Sequence, residues 1–154
     1  MKTLTLLAAF AVSLSAATHY VTVAGLGGEP DYEQRFSDWA GTIGEVLRES
    51  RTDAKIEVLR GAEATRARLR GVLEQAVEDC GPGDAFVLML IGHGSFDGDD
   101  YKFNLPGPDI TASELAGLLN RLRAGRQLVV GMTSASGGAL ESLRRENSVV
   151  IVST

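Results

Sequence analysis

An α/β fold built on a mostly parallel sheet, with helices on both faces, is what this 154-residue chain predicts. Two observations carry the expectation. Short β-branched or apolar runs alternate with longer stretches of helical periodicity along most of the chain, the order that strand–helix–strand units require. One run, Ala85-Phe-Val-Leu-Met-Leu-Ile91, is apolar throughout, as a strand covered on both faces should be. Composition agrees: 44% hydrophobic and 23% charged residues are ordinary values for a folded domain, and this length buries a core without metals or disulfides.

The elements follow in order. His19-Tyr-Val-Thr-Val-Ala24 reads as the first strand, closed by Gly25-Leu-Gly-Gly28. A helix from about Tyr32 to Ser50 places Phe36, Trp39, Ala40, Ile43 and Leu47 on one face. Lys55 to Leu59 is the second strand. Ala64 to Asp79 carries Leu69, Val72, Leu73 and Val77 at helical spacing, and Gly81-Pro82-Gly83 stops it. After the apolar third strand, a polar loop is expected from Gly92 to Asp109. Thr111-Ala-Ser-Glu114 has the form of a capping box, opening a helix with Leu115, Leu118, Leu119 and Leu122. Gln127 to Gly131 is the fourth strand and Ser148 to Val152 the fifth, joined by a short helix at about Gly138 to Arg145. The last strand reads as buried and Thr154 follows at once, so the expectation is an incomplete domain; a complete five-stranded domain is the alternative.

Residues 1–17 read as a secretory signal peptide, which leaves 18–154 as the domain. Lys2 supplies the positive start, Leu4 to Leu14 the apolar core, and Ser15-Ala16-Ala17 a small-residue cleavage pattern. The run is too short to span a bilayer, and no other transmembrane candidate follows. The expected location is periplasmic or extracellular; a buried N-terminal strand or helix is the alternative. The formal charge is −5, and losing Lys2 makes the processed chain one unit more acidic. An acidic excess argues against a nucleic-acid partner. The single cysteine, Cys80, excludes an intrachain disulfide, and Glu78 and Asp79 beside it disfavour a thiolate.

Ligands of parallel sheets gather at the carboxyl ends of the strands. Three such ends stand out: Ala24-Gly-Leu-Gly-Gly-Glu-Pro30 after the first strand, Gly92-His93-Gly94-Ser95 after the third, and Met132-Thr-Ser-Ala-Ser-Gly-Gly138 after the fourth. A histidine at one strand end can deprotonate a nucleophile at the next. The glycine after it leaves a backbone N–H open to an oxyanion. His93 is one of two histidines, and between two glycines it is a poor core filler.

The run Phe86-Val-Leu-Met-Leu-Ile-Gly-His-Gly-Ser95 resembles the strand and His-Gly element of the caspase and legumain cysteine peptidases. Those families continue with a helix, an apolar strand and a motif of the form Asp-Ala-Cys-x-Ser-Gly or Glu-Ala-Cys-Glu-Ser-Gly. Leu128-Val-Val-Gly-Met-Thr-Ser-Ala-Ser-Gly137 stands in that place. Aligning Ser136-Gly137 with the motif's Ser-Gly sets Ser134 at the cysteine, Thr133 at the alanine and Met132 at the acid. Val21-Thr-Val-Ala-Gly25, Gly28 and Tyr32 are similar to the first strand and loop of the legumain branch. The resemblance spans about Tyr20 to Thr154. It implies a caspase-like three-layer sandwich, with His93 as general base, Ser134 as nucleophile, and the N–H groups of Gly94 and Ser134 as oxyanion hole.

The departure falls on the attacking atom. A thiol loses its proton far more readily than a hydroxyl, which needs a well-oriented base and usually an acid behind it. Two readings follow: an exported peptide-bond hydrolase working through serine, and an inactive pseudopeptidase that binds or scaffolds peptide. Both imply a peptide or protein partner and a site without cofactor or metal. Charged residues that could line a substrate pocket include Glu29, Arg35 and Asp97. Ser136 within Ser134-Ala-Ser-Gly-Gly138 offers a third reading, an esterase elbow, although no histidine follows it in the chain. Gly25-Leu-Gly-Gly28 lacks the third glycine of a dinucleotide loop, Pro30 standing there. Asp97-Gly-Asp-Asp100 misses the spacing of a calcium-binding hand and reads as a solvated acidic turn.

Overall fold

A computed structural model describes residues 16–51 and 53–153; nearly all of the leader, residues 1–15, lies outside the described residues. Five strands form one parallel sheet in the order β2-β1-β3-β7-β8: β1 is Thr18–Ala24, β2 Lys55–Leu59, β3 Ala85–Gly92, β7 Arg126–Thr133 and β8 Ser148–Ser153. Helix α1, Pro30–Ser50, covers one face; α2, Arg66–Asp79, α3, Ala112–Leu119, and the short α4, Leu140–Leu143, cover the other. The result is a three-layer α/β sandwich. No helix among the described residues is long and apolar enough to cross a membrane.

The centre of the sheet explains the apolar third strand. Phe86, Leu88 and Leu90 point into the larger core with α2 and α3, while Ile91 joins Ala24, Phe36 and Ala40 under α1. Alternate residues of β3 thus serve opposite cores, which is why it shows no polar alternation. Each of the three large side chains facing α2 and α3 is at most 2% exposed, and burial of each contributes about 1.5–3 kcal/mol.

The helices obey their local signals. Pro30 opens α1, with Asp31 and Glu33 in its first turn, where acids suit the helix dipole. Gly44 lets α1 approach β2, since a Cβ there would come within 2.6 Å of Val58 Cγ2. The Thr65 side chain caps α2 by accepting from Arg68 N–H. Thr111 caps α3 through Glu114 N–H at 3.1 Å, as the capping box predicts. The Glu114 carboxylate does not turn back to close the box. It bridges to α2, meeting Arg66 at 2.6 Å and Arg70 at 2.6 Å, and so ties two helices of one layer together.

Three features differ from the expectation. The segment expected as a polar loop carries two strands, β4, Gly94–Phe96, and β5, Tyr101–Phe103, which form a small antiparallel sheet with β6, Ile110–Thr111, just beyond it. Its inward residues Tyr101, Phe103 and Ile110 are buried, as is Leu105 in the connection between β5 and β6; strands of two or three residues are too short to show a period. The expected helix near 138–145 is a 3-10 turn at Ser136–Ala139 followed by one turn of α4. Among the described residues the last strand is not covered on both faces. β8 lies at the sheet edge, and Val149 and Ile151 are 59% and 52% exposed on the side that α1 leaves bare.

Burial raises the Glu114 pKa, but its bonds to Arg66 and Arg70 outweigh that and hold the carboxyl below 4.5. A folded pKa below the unfolded one stabilises the protein above the unfolded value and is lost as pH falls through the folded value. Glu114→Gln is therefore expected to cost on the order of 1 kcal/mol at pH 7, moderated by the half-exposed guanidiniums. It should cost progressively less below pH 4.5, as read by urea unfolding across that range.

Candidate functional site

Parallel pairing aligns the carboxyl ends of the strands. β3 and β7 pair in a register that sets Gly92 opposite Thr133, so His93 and Ser134 each stand one residue beyond the last pair of neighbouring strands. Ala24 pairs with Ile91, and Gly25 N–H donates to the Ile91 carbonyl at 2.8 Å. The loop after β1 is thereby held beside Gly92, whose φ of 151° disfavours any other residue and where an added Cβ would sit tightly, 3.3 Å from Gly25 Cα. Gly27 N–H donates to Glu33 on α1 at 2.7 Å, closing that loop onto the helix.

His93 is half-buried. Its ring packs edge-on against Tyr32 and Phe36 of α1, with centroids 5.2 and 5.1 Å apart and interplanar angles of 71° and 72°. Aromatic edges against aromatic faces fix the imidazole plane. Asn104 N–H donates to the His93 carbonyl at 3.0 Å, and Leu26 N–H to the Asn104 carbonyl at 2.9 Å. Among the described residues no carboxylate hydrogen-bonds the imidazole, so packing rather than an acid orients it. The Arg35 guanidinium lies over the Tyr32 ring, 5.4 Å from its centroid, placing one of the sequence's pocket candidates a single ring away from His93.

Ser134 is exposed. Its hydroxyl accepts from Gly94 N–H at 3.1 Å and donates to the Gly94 carbonyl at 3.3 Å. His93 and Ser134 are thus neighbours through the Gly94 backbone, without a hydrogen bond between their side chains among the described residues. The same contact occupies the N–H that an oxyanion would need. Behind it, the Tyr101 and Thr133 hydroxyls share a buried hydrogen bond of 2.5 Å. Burial raises the Tyr101 pKa, which keeps the phenol protonated. Gly94 must lack a side chain here, because a Cβ would fall 2.3 Å from the Tyr101 oxygen. Ala135, next to Ser134, is left-handed at φ 56° and ψ 14°, a conformation that costs an L-residue about 1–2 kcal/mol.

The remaining candidates have other employment. Ser136 is buried and its hydroxyl donates to the Ser153 carbonyl, so Ser134 carries the accessible hydroxyl of this loop. Asp97 accepts from the N–H groups of Asp99 and Asp100 and pairs with Lys102 at 2.8 Å; these bonds hold its carboxyl well below the usual range. Asp100 accepts from Ser113 N–H. Among the described residues no group of three or more histidines, cysteines or acids is placed to hold a metal. Cys80 is buried, and burial with Asp84 nearby pushes its thiol up to about 11. Glu29 is exposed at the N-cap of α1 without a side-chain cap. One feature escaped the sequence reading: Trp39, Thr42, Ile43, Ile91 and Met132 line an apolar groove of about 290 Å³, flanked along the chain by His93 and Ser134. Trp39 and Ile43 were visible as part of the apolar stripe of α1, but not that they meet Ile91 and Met132 in a groove.

No protein-family model matches the chain, and no curated protein does. Among solved structures, its fold is similar to the crystal structure of protein GSU0716 from Geobacter sulfurreducens, at a TM-score of 0.60 and 18% identity. The match covers 88% of this chain and 58% of that one. The likeness establishes the fold alone.

Gly94→Ala is expected to cost about 1–3 kcal/mol in urea unfolding, because the added methyl displaces a Tyr101 ring that has nowhere to move. Ala135→Gly should show the opposite sign, a gain of about 0.5–1 kcal/mol, as left-handed strain is relieved by more than the entropy of the new glycine.

Proposed function

We propose that this chain is an exported protein of caspase and legumain-like architecture that engages peptide at the carboxyl end of its sheet, with His93 and Ser134 at the dyad positions and hydrolysis suppressed. The observation that supports this reading best is the state of the Ser134 hydroxyl. It is held by both backbone groups of Gly94 instead of by the imidazole that would have to deprotonate it. A hydroxyl bound this way is not activated, and the Gly94 N–H cannot polarise a scissile carbonyl until it is released. The apolar groove beside the site and Arg35 over Tyr32 give a peptide both a hydrophobic and a charged contact. Export rests on the leader at residues 1–17, with Lys2 ahead of its apolar run.

The second reading is a serine-dependent peptide-bond hydrolase. It is favoured by the register that sets His93 and Ser134 on adjacent strand ends and by the strained Ala135 beside the nucleophile position, since strain clusters at functional turns. In that reading substrate entry would draw the hydroxyl from Gly94 to His93 and free the N–H for the oxyanion.

Peptide cleavage by the purified protein, compared with Ser134→Ala and Ser134→Cys, separates the two. The expected outcome is no turnover by the wild type or Ser134→Ala, and cleavage by Ser134→Cys, because a thiol titrates near about 8.5 and needs no orienting acid. Wild-type cleavage that disappears in Ser134→Ala would instead establish the hydrolase.

A further inference from the structure

At the opposite end of the sheet, a second cleft of about 270 Å³ opens between α2 and the edge strand β2. Its walls include Val21, Val72, Ala76 and Phe86, an apolar floor drawn from β1, α2 and β3. Two ion pairs cross from β2 to α2 along it: Lys55 to Asp79 at 3.0 Å and Glu57 to Arg68 at 3.7 Å. All four charged side chains line the cleft and are a third to more than half exposed. Exposed pairs of this kind are weak and exchange readily for other partners.

Two further observations mark the cleft as a receptor rather than a packing gap. His19 lines it, is 5% exposed, and makes no side-chain hydrogen bond among the described residues. Burial, then the charge of Lys55, lowers its pKa, so the ring is neutral, with one N–H to donate and one nitrogen to accept. An imidazole in the wall of a cleft can hydrogen-bond a ligand held there. Gly71 is the second. It sits in the interior of α2 and lines the cleft, yet a Cβ there would meet nothing within 4 Å. Glycine weakens a helix interior, and no close contact requires it here; its effect is to keep the cleft open.

The charge pattern selects the ligand class. A singly charged molecule would break an ion pair and replace only one of its partners, whereas a zwitterion replaces both. We propose that this cleft binds a small zwitterion with an aliphatic side chain, of the branched-chain α-amino acid class. Its carboxylate lies between Lys55 and His19, its ammonium meets Asp79, and its side chain rests against Val72 and Ala76.

The test uses the imidazole signals of the protein in solution. The chain has two histidines, so His19→Asn assigns them without ambiguity. L-Leucine is titrated beside 4-methylpentanoate, which lacks the ammonium, and 3-methylbutylamine, which lacks the carboxylate. Leucine is expected to shift the His19 signals saturably and leave those of His93 in place, with each analogue binding at least about tenfold more weakly. Gly71→Leu, which fills the cleft from a good helix position, should abolish the response without lowering the unfolding midpoint. Ser134→Ala should leave leucine affinity unchanged, so the cleft stands or falls apart from the strand-end site. A silent His19, an analogue that matches leucine, or full affinity in a folded Gly71→Leu would each overturn the proposal.

Discussion

The pairing of β3 with β7 is the constraint from which the rest of the molecule follows. β3 is buried on both faces and bonded on both edges, to β1 and to β7. A one-residue slip would exchange the side chains committed to its two cores: Phe86, Leu88 and Leu90 would lose α2 and α3, and Ile91 would lose α1. With the slip forbidden, Gly92 must face Thr133, and the two loops that follow must leave the sheet side by side. The Gly94–Ser134 contact is therefore a by-product of core packing many residues away. The loops add to it through the Tyr101–Thr133 bond behind the contact and the buried Ser136.

Within that frame the chemistry turns on competition for one hydroxyl. The backbone of Gly94 offers Ser134 a donor and an acceptor together, and His93 can offer one nitrogen at a time. The imidazole is moreover held by Tyr32 and Phe36, and among the described residues no carboxylate stands behind it to orient it. A sulfur at the same position would change both sides of the balance. It is a weak hydrogen-bond partner for the backbone, and its proton leaves far more readily than a hydroxyl's.

Much of the layout was legible because burial imposes periodicity. The five long strands, α1 and α2 appear where the apolar spacing puts them, and Thr111-Ala-Ser-Glu114 marked the start of α3 through a side-chain–backbone bond that depends on local sequence alone. The small sheet of β4, β5 and β6 was not legible as strands, although Tyr101, Phe103 and Leu105 alternate, because its inward side is defined only once Thr133 and Gly94 arrive from elsewhere. His93 and Ser134 could be singled out from residue type and strand order. Their actual partners could not, since an aromatic cage from α1 and a backbone clasp from Gly94 are three-dimensional facts. His19 was visible only as a residue near the start of the domain; that it faces an ion-paired cleft depends on how far α2 stops short of β2.

The edge formed by β8 bears on how the protein behaves as a colloid. Among the described residues one row of its backbone donors and acceptors has no strand partner, and the segment Ser148–Ser153 carries neither charge nor proline. Those are the devices by which edge strands ordinarily discourage pairing with another chain. What opposes such pairing here is the long-range repulsion of a chain with a formal charge of −5. That repulsion is screened over about 10 Å at 0.1 M salt and about 3 Å at 1 M. Salt thus shortens the reach of that repulsion, while Val149 and Ile151, exposed among the described residues, form the apolar face that such an edge presents.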